Sequence, residues 1–296
     1  MSRDPRGAWL RRVGPEGVAA AGLTLPPDLR HHFVETSDGG RVHVVERGEG
    51  PTSVLVHGIT LCAATWAPQL RSLEGRVVAV DQRGHGQSRA GREGYAFDRL
   101  GADLLEVLEA LGVRDAVLVG HSMGGMVAQL LALTRPDDLS RHVRRLLLVA
   151  TTHGPILTPP IAAAATAALS RLLRAAERRG RGPLPRAATV WAARVAFGAS
   201  PTPAAVELLC EMLERMSAGA LAGLLPHLLA FDVRDRLAEM ALPVHVVVGE
   251  RDLLTPPRAA RGIVRRVPGA ALTLLPGCGH MAMLERAEKV CALVAG

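Results

Sequence analysis

The 296-residue chain contains no asparagine, a single lysine (Lys289), a single tyrosine (Tyr95) and only 3% aromatic residues. Without asparagine there is no N-glycosylation sequon. Arginine therefore supplies nearly all of the positive charge behind the formal net of +7. Lysine and asparagine both have A-rich codons, so their scarcity marks GC-rich coding rather than a face built for a polyanion. No basic stretch is interleaved with aromatics, and nucleic-acid binding is not expected. Long hydrophobic runs are also missing. Runs such as Val18 to Leu25 and Ile161 to Leu169 fall short of the roughly 18 to 20 apolar residues that a spanning helix needs. Arg11 and Arg12 precede the first of them in the manner of a signal peptide. Gly14-Pro15-Glu16 interrupts that pattern, and Pro26-Pro27-Asp28 stands where small cleavage-site residues belong. Residues 1–29 read as a loose N-terminal extension on an intracellular, cytoplasmic chain. Cys62, Cys210, Cys278 and Cys291 have no CxxC or zinc-like spacing, which fits free thiols in a reducing compartment and predicts no metal site.

What is present is 48% hydrophobic, ample for the core of one large α/β domain. Eight short runs read as strands: His32 to Val34, Arg41 to Glu46, Ser53 to Val56, Val77 to Val80, Val117 to Val119, Leu146 to Val149, Val244 to Val248 and Leu272 to Leu275. The first two flank Ser37-Asp38-Gly39-Gly40, a hairpin signal. Several later ones are continuously apolar, as strands buried on both faces of a parallel sheet are. Leu100, Leu104, Leu108 and Leu111 line one helical stripe, ended by Gly112. Such alternation predicts a doubly wound α/β sheet. It fails once. From Pro155 to Ala230, Ala-rich and Leu-rich helical segments are punctuated by Pro159-Pro160, Gly180 to Pro185 and Pro201 to Pro203. Residues 155–230 are thus predicted as a helical insertion between two parts of a core, 30–154 and 231–296.

The sharpest chemical signal is Val117-Leu118-Val119-Gly120-His121-Ser122-Met123-Gly124-Gly125, a buried strand running into G-x-S-x-G with an apolar helix behind it. This is a nucleophile elbow: the strained turn exposes the Ser122 oxygen, and the Met123 amide points at a developing oxyanion. With such an elbow the usual chain order is Ser, acid, His. Asp252 follows the strand ending at Val248, and His280 follows the strand ending at Leu275, so all three groups fall outside the carboxyl ends of strands. Glu250 and Asp235 rival Asp252 as the acid. His57, His85 and His121 sit in Gly-rich motifs and read as structural. His153 reads equally as a pocket residue or an ordinary loop histidine, and Cys62 and Cys278 as space fillers. Gly277-Cys278-Gly279-His280-Met281-Ala282 matches a dinucleotide fingerprint, but no further strand with an acidic residue after it follows in the sequence up to Gly296, and a dinucleotide site is not expected.

On these residues the sequence resembles the α/β-hydrolase family. His57-Gly58 looks like the family's oxyanion turn, which implies that the Ile59 amide is the second oxyanion donor. Asp81-Gln82-Arg83-Gly84-His85-Gly86-Gln87-Ser88 is similar to its D-x-R-G-x-G-x-S segment, and Asp232 to Pro257 and Gly279-His280-Met281 resemble its acid and histidine regions. The resemblance implies an α/β-hydrolase fold: a mostly parallel eight-stranded sheet, helices on both faces and a helical cap over 155–230. Ala287 departs from the family's frequent proline after a glutamate. Epoxide hydrolases and haloalkane dehalogenases resemble the fold but carry an elbow aspartate, where this chain has Ser122.

The expectation is a cofactor-independent serine hydrolase with Ser122, Asp252 and His280 as its triad, acting on a carboxylic ester with an apolar acyl group. Thioesters and lipid esters are variants. Carbon–carbon bond hydrolysis, cofactor-free perhydrolysis and a non-turning-over ligand receptor are the alternatives. The insertion carries eight arginines against four glutamates, a solvated face under coding bias or a contact for anionic lipid. Oligomeric state and acyl length are not legible.

Overall fold

The computed structural model describes residues 13–155, 159–178 and 186–296. Arg11, Arg12, Arg179, Arg181 and the Gly180 to Pro185 break lie outside the described residues. Strands β1 (Arg30–Glu35), β2 (Arg41–Arg47), β3 (Thr52–Val56), β4 (Arg76–Val80), β5 (Ala116–His121), β6 (Val143–Val149), β7 (Val244–Gly249) and β8 (Ala271–Leu275) form one sheet. Its order is β1-β2-β4-β3-β5-β6-β7-β8. The β1–β2 hairpin and the β2–β4 pairing are antiparallel, and every other pairing is parallel. The eight predicted runs are these strands.

The continuous apolar runs divide between two cores at a period of two. Val54 and Val56 of β3 enter one core while Leu55 enters the other; Leu118 of β5 opposes Val117 and Val119; Leu146 and Leu148 of β6 oppose Leu147 and Val149. Each such side chain contributes roughly 1.5–3 kcal/mol on burial. Helices α1 (Gly14–Ala20), α2 (Ala67–Ser72) and α12 (Ala287–Ala295) cover one face through Val18, Leu70, Val290 and Val294. Helices α3 (Phe97–Ala110), α4 (Met123–Thr134) and α10 (Pro257–Val264) cover the other through Leu100, Leu104, Leu108, Met126 and Ile263. Two short helices, α5 (Pro136–Ser140) and α11 (Ala282–Glu285), complete the layers.

Between β6 and β7 stand α6 (Pro159–Arg178), α7 (Arg186–Ala196), α8 (Pro203–Arg215) and α9 (Ala218–Ala230). Thr202 and Ser217 cap α8 and α9, each accepting a hydrogen bond from the third amide onward at 3.2 Å. Leu173 of α6 packs on Ala218, Ala222 and Leu225 of α9, and α7 packs on α8. The described part of the N-terminal stretch is not loose: α1 lies on α8, and Val18 and Leu23 are buried. The apolar run with a signal-like look is burying itself in the second core.

One topological fact positions the site. β3 and β5 are neighbours, with Val56 opposite Gly120. The chain leaves β3 toward β4 on one side and leaves β5 toward β6 on the other. Their carboxyl-end loops diverge and open a crevice there.

Candidate active site

Ser122 sits in that crevice at φ 51° and ψ −116°, a conformation that costs a non-glycine residue about 1–3 kcal/mol. The surroundings hold it there. Its amide donates to Val149 O at 3.0 Å, and its carbonyl accepts from Thr151 Oγ1 at 2.7 Å and the Met126 amide at 3.1 Å. The flanking glycines are required by contact rather than by torsion. A Cβ at Gly124 would stand 2.5 Å from Val56 O, and one at Gly120 would stand 2.7 Å from Gly124 O. Met123 opens α4, so its amide is among the first-turn N–H groups that have no intrahelical acceptor.

The turn after β3 packs directly on this elbow: a Cβ at Gly58 would lie 3.0 Å from Ser122 Cβ. Two buried histidines fix it. His57 Nδ1 donates to Gly58 O at 2.7 Å while its Nε2 accepts the Gln82 amide at 3.0 Å. His85 Nε2 accepts the Thr60 amide at 3.1 Å, and Nδ1 donates to Arg83 O at 3.1 Å. Burial holds both rings neutral, lowering His57 below its usual range and His85 to about 3. Neutral imidazoles are what this geometry needs, because each ring must both donate and accept. The Asp81 to Ser88 segment is built in the same way: Asp81 accepts from His43 and the Ala63 amide, and Arg83 bridges Asp38 and Asp103. Ile59 lies between the bonded groups of the turn, facing the same cavity as Ser122.

His280 and Asp252 come together. His280 Nδ1 donates to Asp252 Oδ2 at 2.9 Å. Asp252 also accepts Thr255 Oγ1 at 2.8 Å and the amides of Leu254 and Thr255 at 2.9 Å. Burial raises the carboxyl's pKa, but charge attraction and the hydrogen bond from His280, with those from Thr255, outweigh it and hold Asp252 below the usual carboxylate range. With Nδ1 committed to Asp252, Nε2 is the ring nitrogen left for Ser122. The His280 backbone is anchored twice, its amide to Ala196 O at 2.7 Å and its carbonyl to His121 Nε2 at 3.0 Å.

Ser122, His280, Gly58 and Ile59 line one cavity of about 360 Å³. Leu209, Leu213, Leu228, Val195 and Trp191 of the helices between β6 and β7 make up much of its wall. Of the rivals, Glu250 accepts the Gly277 amide at 3.2 Å, and Asp235 is exposed. The Cys62 and Cys278 thiols are pushed up to about 12 by burial, which leaves them protonated. Sequence reasoning missed Thr255, Glu285 and Trp191. Glu285 joins the amides of Gly198 and Gly279 at 2.8 and 2.9 Å, tying the end of α7 to the His280 loop. The D-x-x-T spacing Asp252 to Thr255 was a usable signal, since a side-chain turn of that kind orders a loop. Among the described residues no three His, Cys, Asp or Glu side chains form a metal-sized cluster, and no helix is long and apolar enough to cross a membrane.

Comparison with known proteins adds the following. The family model described as Alpha/beta hydrolase family matches residues 54–293. The chain is 31% identical to the putative carbamate hydrolase RutD of Stutzerimonas stutzeri over 252 residues, covering 81% of this chain and 88% of that protein. It is 38% identical over 135 residues to epoxide hydrolase 4 of Mus musculus, covering 43% of this chain and 36% of that protein. It therefore spans little more than a third of that epoxide hydrolase's length. The structure of a thermophilic esterase from Thermogutta terrifontis superposes with a TM-score of 0.77 at 25% identity, covering 90% of this chain and 97% of that one.

Proposed function

The chain belongs to the alpha/beta hydrolase family, and on that premise we propose that it is a serine hydrolase cleaving carboxylic esters with apolar acyl groups through an acyl-enzyme. The observation that carries this reading is the 2.9 Å contact of His280 with Asp252, beside a mainly apolar cavity that His280 shares with Ser122. His280 Nε2 takes the Ser122 proton as Oγ attacks the acyl carbon. The amides of Met123 and Ile59 receive the negative oxygen. The carbon–oxygen bond to the alcohol then breaks, and the alcohol leaves with the proton from His280. Water attacks the acyl-serine with the same nitrogen as base, releasing the carboxylic acid and restoring Ser122. Helices α6 to α9 act as a cap whose Trp191 and leucines receive the acyl chain. Ser122 in place of an elbow aspartate supports ester over epoxide chemistry.

The test is turnover of p-nitrophenyl esters from acetate to octanoate together with labelling by a fluorophosphonate probe. The protein should label and turn over, and Ser122→Ala should abolish labelling and lower kcat/KM by about 10⁴ to 10⁶. Labelling without steady turnover would point to a ligand receptor instead. Full activity in the alanine variant would overturn the reading.

A further inference from the structure

A second cavity, of about 520 Å³, adjoins the acid loop. Leu254 and Thr255 line it as well as the Ser122 cavity, so that segment is a wall common to both. Among the described residues four arginines line the second cavity, Arg234, Arg258, Arg265 and Arg266, and no carboxylate does. Arg234 is neutralised by Asp232, with contacts of 2.8 and 2.6 Å. Arg258, Arg265 and Arg266 are exposed, and among the described residues no carboxylate pairs with them. Arg266 Nη1 holds Gly262 O at 3.1 Å, which fixes one guanidinium at the rim. Some arginines of the fold meet acids, as Arg83 does Asp38 and Asp103 and Arg135 and Arg141 do Asp138, and others, such as Arg47, Arg71 and Arg145, bond to backbone carbonyls. GC-rich coding accounts for the abundance of arginine. What sets this concavity apart is that three exposed arginines gather around it beside a buried histidine.

The base of this cavity offers a further polar group. His153 is buried, its ring lies against α10 where Gly262 leaves room, and its Nδ1 has no hydrogen-bond partner. Burial, reinforced by Arg266, Arg234 and Arg265, lowers this imidazole to about 4. The ring therefore lies in a positive field that a bound anion would relieve. Beside it Leu253 and Leu254 are 72% and 43% exposed, an apolar ledge.

We propose that this groove is an anion site that receives a phosphate carried on the leaving half of the ester. The inference rests on the serine-hydrolase reading for its orientation. With the acyl chain in the apolar cavity, the alcohol or thiol half must lie outside it, and the arginine groove lies just across the Leu254-Thr255 wall. Guanidinium groups bind phosphate through paired, charge-assisted hydrogen bonds, and three of them around His153 suit one or two phosphate groups. The phosphate can belong to a phospholipid headgroup or to a soluble phosphorylated thiol, and the chemistry recognised is the same.

The experiment pairs substrates that differ in the phosphate. Dibutyryl phosphatidic acid is compared with tributyrin, and butyryl-coenzyme A with S-butyryl-N-acetylcysteamine, in wild type, Arg258→Gln/Arg265→Gln and the control Arg135→Gln/Arg141→Gln. In wild type one phosphate-bearing member should exceed its neutral partner about ten- to a hundredfold in kcat/KM, and the groove variant should erase most of that preference. The control removes equal charge beside α5, outside the lining of the groove, and should keep it. Which pair responds tells headgroup from soluble thiol. p-Nitrophenyl butyrate, which has no phosphate, should be unchanged in both variants. Calorimetric titration with pyrophosphate supplies an arm that needs no turnover: wild type should bind and the groove variant should lose binding. No preference in either pair, or a preference that survives in the groove variant, overturns the proposal. Loss of p-nitrophenyl turnover in wild type would instead overturn the serine-hydrolase reading, and the pyrophosphate titration would still decide the site.

Discussion

The carboxyl edge of the sheet and the four helices above it solve different problems. At the edge, the backbone passes within van der Waals reach of itself, so only glycine fits at 120 and 124. Polar groups there are bonded two to four times: Asp252 accepts four hydrogen bonds and the Ser122 carbonyl two. In α6 to α9 the restraint is weaker. Alanine and leucine at helical spacing suffice to pack Leu173 on Ala218, Ala222 and Leu225, and many sequences would do so. On the proposed reading, reaction chemistry belongs to the over-determined region and selectivity to the permissive one.

The strongest way to break this contrast is to disturb the edge without changing its shape. Asp252→Asn preserves volume but lets the amide favour the wrong His280 tautomer, and it should lower kcat by up to about 10⁴. Glu250→Gln, two residues away, should stay within about threefold of wild type, since Glu250 only holds the Gly277 amide. Steady-state kinetics on p-nitrophenyl butyrate compares them directly. A collapse of the Glu250 variant with an intact Asp252 variant would reassign the acid.

Acid should sharpen the contrast next. Burial depresses the pKa values of His57, His85 and His121 at the edge. Below their ordinary value of about 6.5 the unfolded chain binds protons that the folded chain refuses, so stability falls with pH. For His85 the loss begins near that value and continues until about 3. Between pH 7 and pH 5 it amounts to about 2 kcal/mol for His85. The depressed carboxylate of Asp252 works lower, its contribution being lost only below about pH 4. Urea unfolding at the two pH values should show His85→Gln recovering about 2 kcal/mol of the acid loss, whatever its effect at pH 7. An unchanged difference between the two pH values would mean that the ring protonates in the folded protein.

The same contrast governs what was legible in the sequence. Strands were legible because apolar runs feed two cores, and Gly120-His121-Ser122-Met123-Gly124 because few other residues tolerate that turn. Asp252 and His280 followed from chain order and the ends of strands, and the structure puts them in contact. Thr255 and Glu285 were not legible, since a hydroxyl or carboxylate bonding a loop has no periodicity. The burial of Val18 and Leu23 was misread for a related reason: a short apolar run does not say which surface it will meet. In the helices, sequence gave the insertion but not which faces line the cavity.

The smallest expected effect falls in those helices. Trp191 on α7 is 70% exposed yet lines the Ser122 cavity, so its indole has apolar surface left to cover. An acyl chain passing over it buries that surface only when the chain is long enough to reach. Burial is worth about 0.8 kcal/mol per methylene, so lengthening the chain should raise kcat/KM by about threefold to fourfold per carbon until the cavity fills. Trp191→Ala should flatten the outer part of that series, raising KM for octanoate by about three- to tenfold while leaving acetate and kcat within about twofold. Stability should hardly change, because an exposed indole has little packing to lose. If acetate and octanoate suffer equally, Trp191 shapes the cap as a whole and the chain runs elsewhere. A variant that leaves every chain length untouched would place the acyl group against Leu209, Leu213 and Leu228 instead, deeper in the same cavity.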